Sequence, residues 1–134
     1  LSAALPELRI VLGHLPIDAP RDETARAKFM DDLRVLGRCP NVYGKISGVV
    51  RRVGQVPTDA AFYKPSLDGM WEAFGPDRVI YASNWPACDN TAPYGTVFRV
   101  VRDYLADKDR ETAEKYFWKN SQAAYKWRER SGRG

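Results

Sequence analysis

Three short apolar runs place the strongest constraint on how this chain folds. They span 8–12, 41–47 and 78–83, and each is rich in β-branched or aromatic residues. Continuous apolar runs of this length are typical of strands that are buried on both faces, as in a parallel sheet. Glycine or proline follows soon after each run, where such residues end a strand. The sequence therefore predicts three buried parallel strands.

Amphipathic helical patterns lie between these runs and after the last one. The segments in which apolar residues recur at helical spacing are 22–36, 66–74 and 94–105. Asp22 is suited to cap the first, and Asp109 and Asn120 are interpreted as caps of two further short helices. Alternating strands and helices are typical of a parallel sheet with outer helices. We therefore predict an α/β fold built from about three βα units.

The connection 48–64 shows no clear periodicity, and a βα loop of that length is often functional. It carries Arg51 and Arg52, which could clamp a carboxylate through paired hydrogen bonds. The alternative is that both are solvated loop charges. We keep them as candidate substrate-binding residues.

Polar side chains follow the ends of all three predicted strands. His14, the single histidine of the chain, follows the first, Lys45 and Ser47 lie at the end of the second, and Asn84 with Trp85 follows the third. Parallel α/β sheets place their sites at the carboxyl ends of the strands. These strand ends are therefore the predicted site.

Each of these residues has more than one interpretation. His14 could be a general base, a metal ligand or a hydrogen-bonding group for substrate, or a structural histidine that closes a strand. Lys45 could neutralise a carboxylate or a developing oxyanion, or simply bury its stem. Asn84 could hydrogen-bond substrate, or serve as a turn residue before Trp85. Asp89, just beyond the third strand, is a candidate site carboxylate.

Composition argues against several classes of protein. The chain has 134 residues and a net charge of +4, and its positive residues are spread out except for the tail 126–133, which we interpret as a solvated helix end. No apolar stretch is long enough to cross a membrane, and aromatic or glycine-rich nucleic-acid motifs are missing. Cys39 and Cys88 match no zinc or CxxC spacing, and Cys88 has no second histidine to activate it. We expect free thiols, a cytoplasmic location, and no nucleic-acid or membrane partner.

Four segments, in order, resemble motifs of the amidohydrolase 2 proteins, a family of metal-dependent hydrolases with a lactonase-like branch. The segment 6–15, PELRIVLGHL, is similar to their strand that ends in an active-site histidine. The segment 41–48, NVYGKISG, resembles their NVYxKxSG strand, and 74–86, FGPDRVIYASNWP, resembles their last strand, FGxDRxxxxSDWP. The segment 120–125, NSQAAY, is similar to their closing NAxxxY helix.

This resemblance covers nearly the whole chain and implies a (β/α)8 TIM barrel whose sixth, seventh and eighth strands are present. Since a complete barrel needs about 250 residues, residues 1–134 are expected to form its C-terminal portion, without the N-terminal strands. The resemblance also implies that His14 faces substrate or metal. Lys45 and Ser47 would line the pocket floor, and Asn84 would take the place of the family's catalytic aspartate.

Two departures from the family pattern concern the chemistry. Relatives that bind zinc use an HxH motif on the opening strand, and this chain lacks that strand. One histidine cannot supply the three protein ligands of a catalytic zinc site. We therefore expect no cofactor for this chain, with His14 as a ligand for a divalent metal such as zinc only in a longer parent. Asn84 is an amide and cannot act as a general base.

The resemblance implies that the intact parent hydrolyses a small lactone or a related cyclic ester or amide. The substrate would be a lactone or another small molecule that carries a carboxylate group. His14 would polarise the carbonyl or hold the substrate, and Lys45 would stabilise the oxyanion or carboxylate. The chain alone is expected to be inactive. The alternative is a non-catalytic binding or assembly module, because open sheet edges invite pairing with a second copy or with a missing N-terminal half.

Overall fold

A computed structural model describes residues 4–16, 20, 22–50 and 56–127. Three parallel strands form one sheet in the order β1-β2-β3. In chain order the elements are β1 (Ile10–Leu15), α1 (Glu23–Gly37), β2 (Val42–Ile46), α2 (Ala60–Phe74), β3 (Val79–Tyr81), a 3₁₀ turn (Ala87–Asn90), α3 (Tyr94–Tyr104), α4 (Arg110–Glu114), a π-helical turn (Lys115–Lys119) and α5 (Asn120–Tyr125). The predicted α/β class with parallel strands is confirmed.

The strands lie close to their predicted positions, with one useful difference. β2 and β3 fall inside the predicted runs 41–47 and 78–83. β1 begins two residues later than the predicted start at Leu8 and extends to Leu15. The predicted strand end at Leu12 is therefore wrong, and His14 lies within the strand rather than after it.

Side-chain caps set the starts of the helices. The carboxylate of Asp22 accepts the backbone N–H of Ala25 at 2.8 Å, and that of Asp109 accepts the N–H of Thr112 at 2.8 Å, so both predicted caps are confirmed. α2 begins six residues before the predicted start at Ser66, because the carboxylate of Asp59 caps it. The end of the supposedly unpatterned connection 48–64 is therefore helical.

Asn120 is not a helix cap, so that prediction is wrong. The helical run continues through it from α4 and the π-helical turn. Its buried side-chain amide donates to the carbonyls of Pro76 at 2.7 Å and Val79 at 2.8 Å. Asn120 thus attaches the last helix to the amino end of β3, which leaves the carboxyl end of the sheet uncovered by this contact.

The hydrophobic core lies between one face of the sheet and the helices. Val42, Ile46 and Val79 are fully buried there and belong to one cluster with Met70 and Phe74 of α2. Gly44 lies between Val42 and Ile46 on the same face, and a Cβ atom there would come within 2.6 Å of the Phe74 ring. Because side chains alternate along a strand, Tyr43 and Lys45 project from the opposite face.

Candidate active site at the carboxyl ends of the strands

The parallel sheet brings the carboxyl ends of its three strands to one edge. His14 lies near the end of β1, Lys45 is the penultimate residue of β2, and Asn84 follows β3 by three residues. Neighbouring strands in a sheet are about 4.8 Å apart. His14, on β1, and Asn84, three residues beyond β3, therefore lie on opposite sides of β2, which carries Lys45.

A β-bulge places His14 beside Lys45. Leu12 pairs with Gly44 and Leu15 pairs with Ile46, so two residues of β1, Gly13 and His14, stand opposite Lys45 alone. A Cβ atom on Gly13 would lie 3.6 Å from Cε and 3.9 Å from Nζ of Lys45. The ammonium group thus lies against the backbone that carries His14. His14 is exposed and Lys45 is half-buried.

His14 and Asn84 share an uncommon backbone conformation. Their φ angles are 59° and 60°, in the left-handed region. Asparagine and histidine are enriched in this region relative to other side chains, but for any residue except glycine it carries a cost of about 1–3 kcal/mol that the surrounding structure must offset. Each residue is followed by one apolar residue and a cis proline, as Leu15–Pro16 and Trp85–Pro86. Two of the three predicted catalytic residues are therefore presented by the same local geometry.

Ser47 connects the ends of β1 and β2. The backbone N–H groups of Ser47 and Gly48 both donate to the carbonyl of Leu15, at 3.0 and 3.1 Å. The side chain is only 5% exposed, and its hydroxyl has no hydrogen-bond partner among the described residues. Since buried hydroxyl groups are nearly always hydrogen-bonded, this one retains the capacity to bind a further polar group.

Asp89 has a structural partner in the part of the chain that the structure describes. Its carboxylate accepts the backbone N–H of Tyr94 at 3.1 Å, at the start of α3. It thereby holds in place the first residue of this helix, and its role as a substrate-binding carboxylate stays a prediction. Arg51 and Arg52, also predicted to bind substrate, lie outside the described residues.

Tyr94 is a residue of this edge that sequence reasoning missed. With Ser83 and Trp85 it lines a cavity of about 310 Å³ beyond the end of β3. Trp85 is 63% exposed and Tyr94 is 45% exposed. The available signal was an aromatic residue directly after Pro93, at the start of the helix that follows a strand end.

Burial sets the ionisation of the groups beneath this cavity. Burial raises the pKa of the Tyr81 hydroxyl well above its usual range, and the neighbouring Tyr94 and Cys88 raise it further. Burial and the adjacent Asp89 carboxylate raise the pKa of the Cys88 thiol. Both groups stay protonated near neutral pH, so Cys88 does not have the properties of an activated nucleophile. Cys39 and Cys88 are free thiols, as predicted.

The donor chemistry of this edge does not match a catalytic zinc site. Among the described residues, no three His, Cys, Asp or Glu side chains converge on one point. His14 lies beside the ammonium of Lys45, which is a cation, and Asn84, on the far side of β2, offers only an amide, which is a weak metal ligand. The residues present therefore do not fit a divalent metal on their own. No helix within the described ranges is long and apolar enough to cross a membrane.

Comparison with known proteins gives consistent matches. The family model described as amidohydrolase matches residues 1–127. An L-fucono-1,5-lactonase from Burkholderia multivorans is 35% identical over 66% of this chain and 31% of its own length. An L-rhamnono-gamma-lactonase from Scheffersomyces stipitis is 26% identical over 90% of this chain and 41% of its own length.

Solved structures agree with these sequence matches. A crystal structure of a Burkholderia multivorans amidohydrolase with bound HEPES superposes with a TM-score of 0.82 and 27% identity, over 94% of this chain and 47% of that one. A second crystal form of it, with bound zinc, gives a TM-score of 0.81. The chain thus spans less than half the length of these relatives and neighbours.

Proposed function

The chain belongs to the amidohydrolase family, and from that premise we propose that it supplies the last three βα units of a (β/α)8 barrel that hydrolyses a sugar lactone. The names of the two curated relatives, a fuconolactonase and a rhamnonolactonase, support a lactone as substrate. The coverage of solved amidohydrolases, just under half, supports a partial barrel. The observation that carries the proposal is the bulge that sets His14 beside Lys45 at the carboxyl edge.

Hydrolysis of a lactone needs stabilisation of negative charge on the carbonyl oxygen. Water attacks the carbonyl carbon, and a tetrahedral intermediate forms with an oxyanion. The ring C–O bond then breaks, and the departing ring oxygen takes up the proton that the attacking water gave up, which yields a hydroxy acid. We assign oxyanion stabilisation to the ammonium of Lys45, since a fixed positive charge in a partly buried site stabilises such an oxygen strongly. The same ammonium would afterwards hold the carboxylate of the product.

The two flanking residues differ in their capacity for proton transfer. Asn84 is an amide, so it can donate and accept hydrogen bonds but cannot take up a proton near neutral pH. Histidine is the side chain best suited to proton exchange at that pH. We therefore assign substrate hydrogen bonding to Asn84. To His14 we assign both contact with the reacting carbonyl and proton transfer with the attacking water. Ser47, whose buried hydroxyl has no partner in the described part of the chain, is assigned as a further substrate contact.

A divalent metal has no step in this mechanism. One solved amidohydrolase neighbour contains zinc, but the side chains at this edge do not form a site for it. A metal in a longer protein that contains this chain stays a prediction, with His14 as its contribution. The alternative of a non-catalytic assembly module receives no support from the lactonase relatives.

The test is lactone turnover by the protein in its full natural length. His14→Ala and Lys45→Ala should each lower kcat/KM for L-fucono-1,5-lactone by about 10²–10³-fold, the usual effect of removing an oxyanion-stabilising group. Lys28→Ala is the matched control, since Lys28 is an exposed lysine of α1 paired with Asp32, and its loss should leave turnover unchanged. Wild-type turnover that both site variants retain would refute the assignment.

A further inference from the structure

A row of aromatic rings runs outward from the last residue of β3. The ring of Tyr81 contacts that of Phe117 with 5.2 Å between centroids, and Phe117 contacts Phe98 at 5.8 Å. Phe98 is in turn stacked on Tyr94, with 6.3 Å between centroids and 15° between planes. We call these four residues the aromatic row. They join β3 to the π-helical turn and to α3 through one continuous set of ring contacts.

The aromatic row is only partly covered by the described residues. Tyr94 is 45% exposed and Phe98 is 37% exposed, whereas Val97, on the neighbouring face of α3, is buried. Tyr81 and Phe117 are half-buried. Apolar residues that are exposed singly are ordinary, but a contiguous group of exposed rings is typical of an interaction surface.

The aromatic row begins at an open edge of the sheet. Towards β2, the N–H of Ala82 donates a hydrogen bond and the carbonyl of Arg78 accepts one. Because the backbone groups of alternate residues point to opposite edges of a strand, those of Val79 and Tyr81 point away from β2. The carbonyl of Val79 accepts the side-chain amide of Asn120 at 2.8 Å. The outward backbone groups of Tyr81 pair with no strand in the described part of the chain.

The order of the ring contacts shows on which side of β3 the row lies. Helix α2 packs over β2 and β3. Trp71 of α2 contacts Tyr116, Tyr116 contacts Phe117, and Phe117 contacts Phe98. The rings therefore follow one another away from α2, past Tyr81, towards the open edge of β3. A strand that paired with this edge would lie beside the aromatic row.

The surface specifies the kind of strand that fits it. Side chains alternate between the two faces of a strand. On the helix side the aromatic row offers apolar surface, so the side chains that face it gain free energy from burial if they are apolar. On the other side the added strand would extend the face that carries Lys45 and Ile80, which pair in register. The fitting segment is thus a strand with apolar residues at every second position.

The occupant that fits this edge best is polypeptide that precedes residue 1 in a longer protein. The chain spans 47% of the solved amidohydrolase with bound HEPES and 31% of the fuconolactonase. A second copy of residues 1–134 fits less well. Two β3 edges related by a twofold axis would pair antiparallel, unlike the rest of the sheet. Pairing of β3 with β1 of another copy is head-to-tail and does not close with two copies.

We propose that the aromatic row is the docking surface for a parallel β-strand of the preceding polypeptide. This strand pairs with the outward backbone groups of Tyr81 and packs its apolar side chains on Phe98 and Phe117. The inference rests on the partial barrel of the proposed function and deepens it by naming the contact residues and the pattern of the partner strand. It does not depend on the reaction that the barrel catalyses.

The test is photo-crosslinking in the full-length protein. Phe98→p-benzoylphenylalanine keeps an aromatic ring and places a photoreactive ketone in the row. Illumination should join position 98 to a peptide from the polypeptide before residue 1 of the same molecule, identified by mass spectrometry after proteolysis, with no product of doubled mass. Phe62→p-benzoylphenylalanine is the matched control, because Phe62 on α2 is 55% exposed and lies outside the row. It should give no link to that peptide.

Thiol labelling measures the cover over the row without a bulky probe. In the full-length protein, Phe98→Cys should react with iodoacetamide at least about a hundredfold more slowly than Phe62→Cys, since a covered position reacts only after local opening. Peptide mapping separates these thiols from the native Cys39 and Cys88. Equal labelling rates at the two positions would overturn the docking surface.

The outcomes separate this inference from the proposed function. Links from position 98 only to residues 1–134, or a product of doubled mass, would overturn the docking surface and leave lactone hydrolysis to be decided by turnover. A link to the preceding polypeptide in a protein that turns over no lactone would support the docking surface and refute lactone hydrolysis.

Discussion

His14 and Asn84 share an uncommon backbone conformation at the carboxyl edge of the sheet. Both have φ near 60° at a strand end, and both precede an apolar residue and a proline. Aspartate, like asparagine, tolerates the left-handed region better than other residues do. The side chain at position 84 can therefore be changed from an amide to a carboxylate without a change of fold. Any change in the rate of hydrolysis then reports the chemistry of that side chain.

Asn84→Asp should raise kcat for L-fucono-1,5-lactone by about tenfold or more. The substitution adds a proton acceptor at the carboxyl edge, and a positioned acid–base group contributes about 10²–10⁴-fold in rate. The measurement is steady-state turnover in the full-length protein, with circular dichroism to confirm an unchanged fold. A kcat that stays equal or falls would mean that the side chain at position 84 does not face the attacking water.

Buried tyrosines should make the folded state sensitive to alkaline pH. Burial raises the pKa of Tyr81, Tyr104 and Tyr116, and the Asp68 carboxylate raises that of Tyr104 further. Above about pH 10 the unfolded chain loses these protons while the folded chain keeps them. The unfolded state then binds fewer protons, so the free energy of unfolding falls as pH rises.

Tyr116→Phe should weaken that dependence by about 1.4 kcal/mol per pH unit above pH 10, because Tyr116 is fully buried. Urea unfolding between pH 7.5 and 11 measures this slope. Tyr125→Phe, at an exposed tyrosine, should leave the slope unchanged. Identical slopes for the wild-type and Tyr116→Phe proteins would show that this phenol ionises equally in both states.

The site residues could be predicted only as far as the strand ends. His14, Lys45 and Asn84 follow from the rule that parallel strands present their carboxyl ends at one edge. The bulge that sets His14 against Lys45 depends on strand pairing, which the sequence of one strand does not encode. Tyr94 escaped prediction because an aromatic residue in a helical pattern is normally interpreted as part of the core.

Gly37 allows helix α1 to approach the backbone of α2 closely. A Cβ atom at Gly37 would overlap the carbonyl oxygen of Ala73, which is backbone and cannot rotate away. At Gly95, in α3, nothing lies within 4 Å of the corresponding position. The same substitution, glycine to alanine, therefore meets a close backbone contact at Gly37 and open space at Gly95.

Gly37→Ala should therefore destabilise the protein by about 3 kcal/mol, since overpacking at a rigid contact forces the backbone to shift. Gly95→Ala should be neutral or stabilise by up to about 1 kcal/mol, because alanine is the better helix former. Urea denaturation of the two variants gives both values. Equal stability of the two variants would contradict the close approach of α1 and α2.

The errors in helix prediction have physical causes. Pro65 indicates a helix break, because proline lacks a backbone donor, yet α2 runs through it from the Asp59 cap. Asparagine is typical of helix caps, but the side-chain amide of Asn120 donates hydrogen bonds to the carbonyls of Pro76 and Val79. That interaction joins segments distant in sequence, so local pattern could not reveal it. The caps at Asp22 and Asp109 are purely local and were predicted correctly.

The sheet as a whole presents two strands with open outer edges. In the part of the chain that the structure describes, neither β1 nor β3 pairs with a further strand. Its face opposite the core carries the half-buried Tyr43 and Lys45. Open edges of this kind promote pairing with other chains.

Residues 1–134 produced alone should therefore associate with themselves, or with a separately produced N-terminal part of the same protein. Light scattering should give a mass above that of one chain, and addition of the N-terminal part should convert the assembly to a one-to-one complex. A monodisperse monomer that does not bind the N-terminal part would contradict the proposal of a partial barrel.

We propose that a sugar lactone is hydrolysed at the carboxyl edge of this sheet. A crystal structure of the full-length protein with bound L-fuconate, the ring-opened product, tests it most directly. We predict that the product carboxylate lies within hydrogen-bond distance of Nζ of Lys45, between His14 and Asn84. Product bound at the amino ends of the strands, or away from all three residues, would contradict the account.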